Sequence, residues 1–318
     1  MKAIIYERYG TPDVLTLTEV TTPVPGDNEI QIKIKATAVN SADYRLRKAD
    51  PFMVRLVFGL FRPGIRILGG IFSGEVEKCG KDVTLFREGD QVFGSTEMKM
   101  GTYAQYTCLP ETGAIAKKPK NLSHEEAAAI PFGAHTALHF FRKADLRPGQ
   151  KIFIYGASGA VGSAAVQLAR HYGADVVAVC SSANIEMMKS LGVEKIIDYT
   201  RDSLDLFGRD YDVIFETVNK TSAIKLSKLL KNKSTLILGS AMIRQMLQSL
   251  WLSLFSGKKV LMGTAAVNAA DMDYLKELAE NDKLKPVIDR TYLLEQMAEA
   301  HRYADTGHKK GNVVISVG

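Results

Sequence analysis

Three cysteines in 318 residues are too few and too scattered for a disulfide framework. Cys79, Cys108 and Cys180 are odd in number, and no CxxC pair exists to build a Cys-rich structural zinc site. The chain also lacks an uncharged apolar run of membrane-spanning length. Residues 52–68 are broken by Arg55, Arg62, Pro63 and Arg66, and residues 236–255 by Arg244, Gln245 and Gln248. The opening MKAIIYERYGTPDVL turns polar after five residues and has no apolar signal core. These absences give the expectation of a reduced, cytoplasmic protein with no membrane partner. No internal repeat or low-complexity tract is present.

Charge of one sign is scarce except in one place. The formal net charge is only +6, and residues 44–74 hold six basic side chains (Arg45, Arg47, Lys48, Arg55, Arg62, Arg66) against one acid, Asp50. A nucleic-acid binder would show a broader basic face and an aromatic-basic stacking platform, so no nucleic-acid partner is expected. A hydrophobic fraction of 46% at this length fits a soluble fold of about two domains.

The first third alternates apolar and polar residues in short runs, clearest at residues 30–38 (IQIKIKATA), the period of a half-buried strand. Further strands are expected at 72–77, 91–93 and 102–108, as in a small barrel or sandwich. Ser123-His-Glu-Glu126 is a capping-box pattern opening an Ala-rich helix that Pro131 should kink or end. Thereafter strands at 151–155, 175–179, 195–197, 212–215 and 235–238 alternate with helices, which implies a parallel sheet covered on both faces. The tail reads as helices over 273–281 and 293–306, then a strand at 312–317. That lone strand needs a partner sheet, and return to the β-rich domain is the simplest solution.

The sharpest motif is Lys151-Ile-Phe-Ile-Tyr-Gly-Ala-Ser-Gly-Ala-Val-Gly162, with Gly156, Gly159 and Gly162 spaced GxxGxxG between a strand and a helix. Glycines there allow a tight turn and close approach to a pyrophosphate. The helix start supplies free N–H groups and a positive dipole end. The residues Gly156, Ser158, Gly159, Ala160, Val161 and Gly162 are therefore expected to bind a dinucleotide. The next strand ends in Cys180-Ser181-Ser182-Ala183-Asn184, with no acid for the ribose hydroxyls of NAD. Ser181 and Ser182 leave room for a 2′-phosphate and can donate to it, and Tyr199 is a further candidate at that edge. NADPH is favoured over NADH. The serines could also cap a helix. Thr217, Val218 and Gly239 follow later strands, where a dinucleotide crosses the sheet edge.

With these residues in place, the chain resembles a zinc-independent medium-chain dehydrogenase/reductase of the quinone oxidoreductase type. The opening, Val39-Asn-Ser-Ala-Asp43, Ser73-Gly-Glu-Val76 with Gly89-Asp-Gln-Val-Phe-Gly94, Pro131 to Ala137, and the GASGAVG loop match in order over essentially the whole chain. The resemblance implies an α/β protein: a GroES-like β-rich catalytic domain (1–122), a Rossmann doubly wound domain (123–268) and a C-terminal return (269–318). It implies hydride transfer from NADPH to a quinone or an α,β-unsaturated carbonyl. Zinc-dependent relatives carry a Cys ligand where this chain has Asn40 and a His ligand where it has Gly70, so no zinc is expected. By family position the candidates for polarising a substrate oxygen are Asn40, Tyr44 and Tyr103, the tyrosines equally readable as pocket wall. Thr136 resembles the residue that contacts the nicotinamide ribose region. The chain departs from the family pattern at Ile71, Asn219, Asn312 and above all Ala183, where many NADPH-dependent relatives carry Lys or Arg.

Two features remain. Ile243, Met246, Leu247, Leu250, Trp251, Leu254 and Phe255 form an apolar helical stripe with the only tryptophan. It reads as core, as a wall of the substrate pocket, or as a homodimer face, since sheets of this family often pair edge to edge there. The basic segment with Phe52, Phe58 and Phe61 reads as a lid favouring anionic substrates, or as a solvated loop. The competing functions are an alcohol/aldehyde dehydrogenase and a non-catalytic NADPH-binding redox sensor.

Overall fold

The computed structural model describes residues 1–203, 208–240 and 243–318. The chain falls into two compact units, Met1–Phe132 with Val267–Asp282 and Pro286–Gly318, and Gly133–Ala266 with Lys283–Lys285.

The first unit carries β1 (Lys2–Ile5), β2 (Thr16–Glu19), β3 (Glu29–Val39), α1 (Ser41–Lys48), α2 (Val54–Phe58), β4 (Ile71–Cys79), β5 (Gln91–Ser95), β6 (Tyr106–Pro110), β7 (Ile115–Lys117) and α3 (His124–Ala128). The second unit begins within α4 (Pro131–Ala144). It holds β8 (Lys151–Tyr155), α5 (Ala160–His171), β9 (Asp175–Cys180), α6 (Ile185–Ser190), β10 (Lys195–Asp198), β11 (Tyr211–Glu216), α7 (Ala223–Ser227), β12 (Leu230–Leu238), α8 (Ile243–Phe255) and β13 (Lys259–Met262). The chain then returns as α9 (Ala269–Glu280), β14 (Ile288–Leu293), α10 (Met297–Asp305) and β15 (Asn312–Ser316).

β3 alternates as its sequence predicts, but only for half its length. Ile30, Ile32 and Ile34 enter the main core with Phe72, Val76 and Val92. Between Ile34 and Ala36 the pairing with β4 shifts register. A bulge adds one residue and exchanges the two faces. Ala36 and Ala38 therefore turn to a second cluster with Ala128, Ala129 and Val314, while Val39 rejoins the main core. The small side chains let α3 lie close, so α3 belongs to the first unit although the sequence assigns it to the nucleotide-binding domain. Its capping box forms as expected: Glu126 N–H donates to Ser123 Oγ, and Ser123 N–H to the Glu126 carboxylate. α3 ends before Pro131 without a kink, and Pro131 opens α4, since proline suits the first turn of a helix.

The terminal strand returns to the first sheet, whose order is β14-β15-β3-β4-β5-β7 with β6 also on β3. β15 runs antiparallel to β3 and parallel to β14. The sequence missed β14 because Ile-Asp-Arg-Thr-Tyr-Leu is an edge strand with a wet face and little apolar pattern. The strand expected at 102–108 begins only at Tyr106, because Tyr103 and Ala104 turn their backbones to β1 instead.

The second unit is a six-stranded parallel sheet in the order β10-β9-β8-β11-β12-β13. The order reverses at β8, so the crevice for a ligand lies beyond the carboxyl ends of β8 and β11. Val177, Val179, Ile214, Leu236 and Leu238 form its core with Leu226 and Leu252 from the helices.

Ile315 of β15 is fully buried in the main core. Ile315→Ala should cost about 3 kcal/mol, read as a lower urea midpoint by circular dichroism. An unchanged midpoint would show that β15 contributes nothing to the core.

Candidate active site

In the second unit the glycines of the phosphate loop do different jobs. Gly156 has φ +81°, and a Cβ there would strike Thr217 Oγ1 and Val218 Cγ1 at 2.6 Å. A Cβ on Gly162 would stand 2.2 Å from the Gly156 carbonyl oxygen, so this glycine lets α5 close on the turn. Gly159 caps α5 in an extended conformation, and a Cβ there would meet only the Gly156 carbonyl oxygen at 3.6 Å, so a pyrophosphate can approach. The N–H groups of Ser158, Ala160, Val161 and Gly162 donate to no acceptor among the described residues, as the first turn of a helix requires. Gly133, on α4, packs against the Ala160 carbonyl, and Thr136 stands one turn further along the same face.

Around this loop the cofactor candidates are brought together. Asn184 donates from Nδ2 to Ser158 Oγ (3.0 Å) and Ser181 Oγ (3.2 Å), joining the phosphate loop to the end of β9. Ser181 stands before the short turn 182–184 and makes no capping bond with its side chain. Asn184 Oδ1 is buried with no partner. An orphaned acceptor beside a row of free N–H groups fits a ligand that carries both hydroxyls and a pyrophosphate.

Ser182 corrects the sequence reading. Its hydroxyl donates to Asp198 at the end of β10, and Thr200 also gives Asp198 its hydroxyl (2.6 Å) and its N–H (2.9 Å). These donors, Ser182 first, hold the Asp198 carboxyl down to about 2. Ser182 therefore faces outward as an acceptor, and its expected donation to a 2′-phosphate is already spent. An acid does stand at this corner, but it arrives from the neighbouring strand, where no reading of the β9 end would find it. The same turn exposes Tyr199, whose ring lies 6.2 Å from that of Tyr155, and Arg201, whose Nε is 3.7 Å from Asp198. Arg201 was missed because it sits eighteen residues beyond Ala183 in sequence, the position where a cation was sought.

Thr217 is fixed by Oγ1 donation to the Tyr155 (2.9 Å) and Gly156 (3.2 Å) carbonyls. Beneath it Glu216, wholly buried, accepts from the N–H groups of Val218 and Lys220 and from Gln245 Nε2. Burial raises its carboxyl pKa, and these donors oppose the rise. Glu216 thus shapes the turn that carries Thr217 and Val218. Gly239, whose N–H donates to the Glu216 carbonyl, ends β12 against the Phe215 ring.

In the first unit one carboxylate organises the other candidates. Asp43 is completely buried, accepting Asn40 N–H at Oδ2 (2.9 Å) and Gly69 N–H at Oδ1 (3.1 Å). It ties together the two segments, Asn40–Asp43 and Gly69–Gly70, that the resemblance singles out. Burial pushes its pKa up to about 6 against these hydrogen bonds. Asn40 caps α1, its Oδ1 accepting Ala42 N–H (3.1 Å), and nothing among the described residues accepts from its Nδ2. That side chain presents a donor and has no free oxygen, and Gly70 has no side chain, so the pair does not fit zinc.

Tyr103 is a second correction. It has no exposed surface, and its phenol meets His301 Nε2 (3.2 Å) beside Asp43. A phenol so enclosed touches no substrate; it buttresses Asp43. His301 is held neutral by burial and by the nearby Arg47 and Lys48. Tyr44 is half-buried against the main core, with Lys48 Nζ 5.8 Å above its ring.

The basic segment is pinned. Tyr9 donates to the Gly59 carbonyl (2.8 Å), and the Arg55 guanidinium lies 4.7 Å over the Tyr9 ring. Phe52, Met53, Leu56, Val57, Leu60 and Phe61 point to solvent, while Val54 and Phe58 pack on the main core.

Helix α8 does not bury its apolar stripe as the core reading of it expects. Gln245, Ser249 and Leu252 are buried, while Met246, Leu247, Leu250 and Trp251 are 52–66% exposed. The polar edge is drawn inward because Gln245 serves Glu216 and the Thr221 carbonyl, and Gln248 accepts from Ser222 and Ala223. The side chains of Ile243, Leu254 and Phe255 lie outside the described residues.

Comparison with known proteins matches residues 26–120 to the alcohol dehydrogenase GroES-like domain and residues 191–315 to the zinc-binding dehydrogenase family. A 2-methylene-furan-3-one reductase of Solanum lycopersicum is 33% identical, over 99% of this chain and 79% of that protein. A chloroplastic NADPH-dependent alkenal/one oxidoreductase of Arabidopsis thaliana is 30% identical over the same shares. The quinone oxidoreductase structure from Coxiella burnetii superposes with a TM-score of 0.92 at 29% identity, covering 100% of this chain and 99% of that one.

Asp43 gives this half of the site a titratable signature. The folded state binds its proton more tightly than the unfolded chain, whose carboxyl titrates near about 4. Its contribution to stability should therefore fall as pH rises from about 4 to about 6. Asp43→Asn should make that slope shallower and cost about 2 kcal/mol at neutral pH, since one buried N–H then faces an NH2 group. Urea midpoints measured across this range check both effects; an unaltered slope and midpoint would contradict the assignment.

Proposed function

The chain belongs to the medium-chain dehydrogenase/reductase family, among its quinone and enone oxidoreductases, and from that premise we propose that it reduces quinones or α,β-unsaturated carbonyls with NADPH. The observation that carries this reading is Asn40: an amide that caps its own helix, with its oxygen committed to Ala42 N–H and its Nδ2 accepted by nothing among the described residues. A donor in that place suits the oxygen on which negative charge develops during carbonyl or quinone reduction. NADPH, when bound, supplies a hydride from the nicotinamide. The chain supplies the rest of the environment. The N–H groups at the start of α5 receive the pyrophosphate, and Thr217 and Val218 are held beside them by Glu216. Thr136 serves the nicotinamide ribose region in this reading, and Tyr44 lines the substrate side. Alcohol oxidation of the zinc-dependent kind lacks its ligands at Asn40 and Gly70.

Ser181, Tyr199 and Arg201 support the 2′-phosphate preference, with Arg201 taking the place of the cation absent at Ala183. Asp198 favours a second reading in which NADH is also accepted, because Ser182 and Thr200 are turned to receive ribose hydroxyls. Three free cysteines, two of them buried, support a reducing compartment. No helix among the described residues is long and apolar enough to cross a membrane. A homodimer is supported by the outward stripe of α8 beside β13, an edge strand paired on one side only among the described residues.

NADPH should be consumed with a quinone or an enone and not with simple alcohols, with a lower KM for NADPH than for NADH. Arg201→Ala should raise the NADPH KM about tenfold and leave that for NADH within about twofold. Equal or reversed wild-type values defeat the cofactor reading; tight binding without turnover turns the protein into a sensor. In light scattering the wild type should double the 34.9 kDa chain mass, and Leu250→Glu should halve the particle. A monomeric wild type removes the dimer.

A further inference from the structure

We propose that residues 52–62 form a peripheral docking surface for an anionic lipid bilayer. The proposal stands apart from the reaction above and departs from the sequence expectation of no membrane partner. Phe52, Met53, Leu56, Val57, Leu60 and Phe61 are 46–85% exposed, forming one apolar group at spacings of one and three along the chain. Their neighbours Val54 and Phe58 point the other way and pack on the main core, so the outward set is held out by an inward anchor.

The segment is fixed in this arrangement. Gly59 has φ +120°, and any Cβ there would stand 2.0 Å from the Arg62 carbonyl oxygen, so the turn is closed to other residues. Gly64 N–H closes it on the Phe58 carbonyl (2.6 Å), and Tyr9 holds the Gly59 carbonyl from below. Side chains as open as Phe61, at 85%, line no groove. A patch of this kind suits a partner without fixed shape.

Charge selects that partner. Arg55 lies on the rings of Tyr9 and Phe52 and donates to the Leu60 carbonyl, and Arg62 is exposed. Neither pairs with a carboxylate among the described residues. Nearby Arg66 is neutralised by Glu7, and the one acid inside the basic segment, Asp50, precedes the patch. Two guanidinium groups without a carboxylate partner, Arg55 within and Arg62 at the end of a set of six exposed apolar side chains, match the headgroup layer and upper acyl region of an anionic membrane. A second copy of the chain is a poorer match. Two-fold pairing of this patch with itself would set Arg55 and Arg62 against their own copies with no acid between them.

The test is sedimentation of the full chain with phosphatidylcholine vesicles, with and without phosphatidylserine. Binding should be about tenfold tighter with phosphatidylserine and should weaken with added salt. Leu56→Ser with Phe61→Ser should abolish pelleting, and Arg62→Gln should weaken it about fivefold. All three positions are exposed, so the variants should keep the wild-type circular dichroism and NADPH turnover. Leu250→Ser should still bind vesicles. The proposal fails if the protein pellets equally without vesicles or ignores lipid charge. It fails equally if release follows Leu250→Ser instead of the Leu56/Phe61 pair, or if that pair alters only the oligomeric state.

Discussion

A single carboxylate with no exposed surface holds the first unit's site together. Asp43 lies one helical turn after Asn40 and twenty-six residues before Gly69, and its two oxygens receive one N–H from each segment. Unpaired, either N–H would be a buried donor without an acceptor, and the carboxylate would be a buried charge without compensation. Satisfied together they fix where α1 starts, which fixes the Asn40 amide. Tyr103 and His301 fill the space behind, and their burial keeps water from competing for the carboxylate. The cost of that burial is the raised pKa, the physical trace of a group placed for geometry.

The second unit repeats the logic with Glu216. This carboxylate sits under the turn after β11 and gathers donors from the turn and from α8. The consequence reaches outward. Because Gln245 and Gln248 must face the turn, the apolar stripe of α8 must face solvent, against the usual rule that an apolar face goes inward. An exposed Met-Leu-Leu-Trp stripe follows from a buried acid on the other side of the helix. Hydrogen-bond satisfaction here outweighs side-chain transfer, since a buried unpaired carboxylate is costlier than a few exposed aliphatic groups.

A similar exchange governs β3. Strict alternation would place Ala36 and Ala38 in the main core with the three isoleucines. The bulge after Ile34 instead moves them to α3, where their small size is what the close-lying helix needs. A long strand thereby serves two cores, and β15 returns to pair beside it.

The sequence by itself determined the phosphate loop, the alternation of strands and helices behind it, the Ser123 capping box and the presence of a strand near residue 312. Each of these depends on neighbours within a few residues: a glycine where the backbone leaves no room, a carboxylate three places after a serine, an apolar run of strand length. Only the tertiary structure decided what side chains do across long separations. It placed Asp198 from β10 behind Ser182, turned α8 inside out and enclosed Tyr103. It also set Arg201 at the corner where the local sequence offered only Ala183. Hydrogen-bond partners of a buried polar group are chosen by packing between distant segments, and no period or spacing along one chain encodes which donor will reach which acceptor.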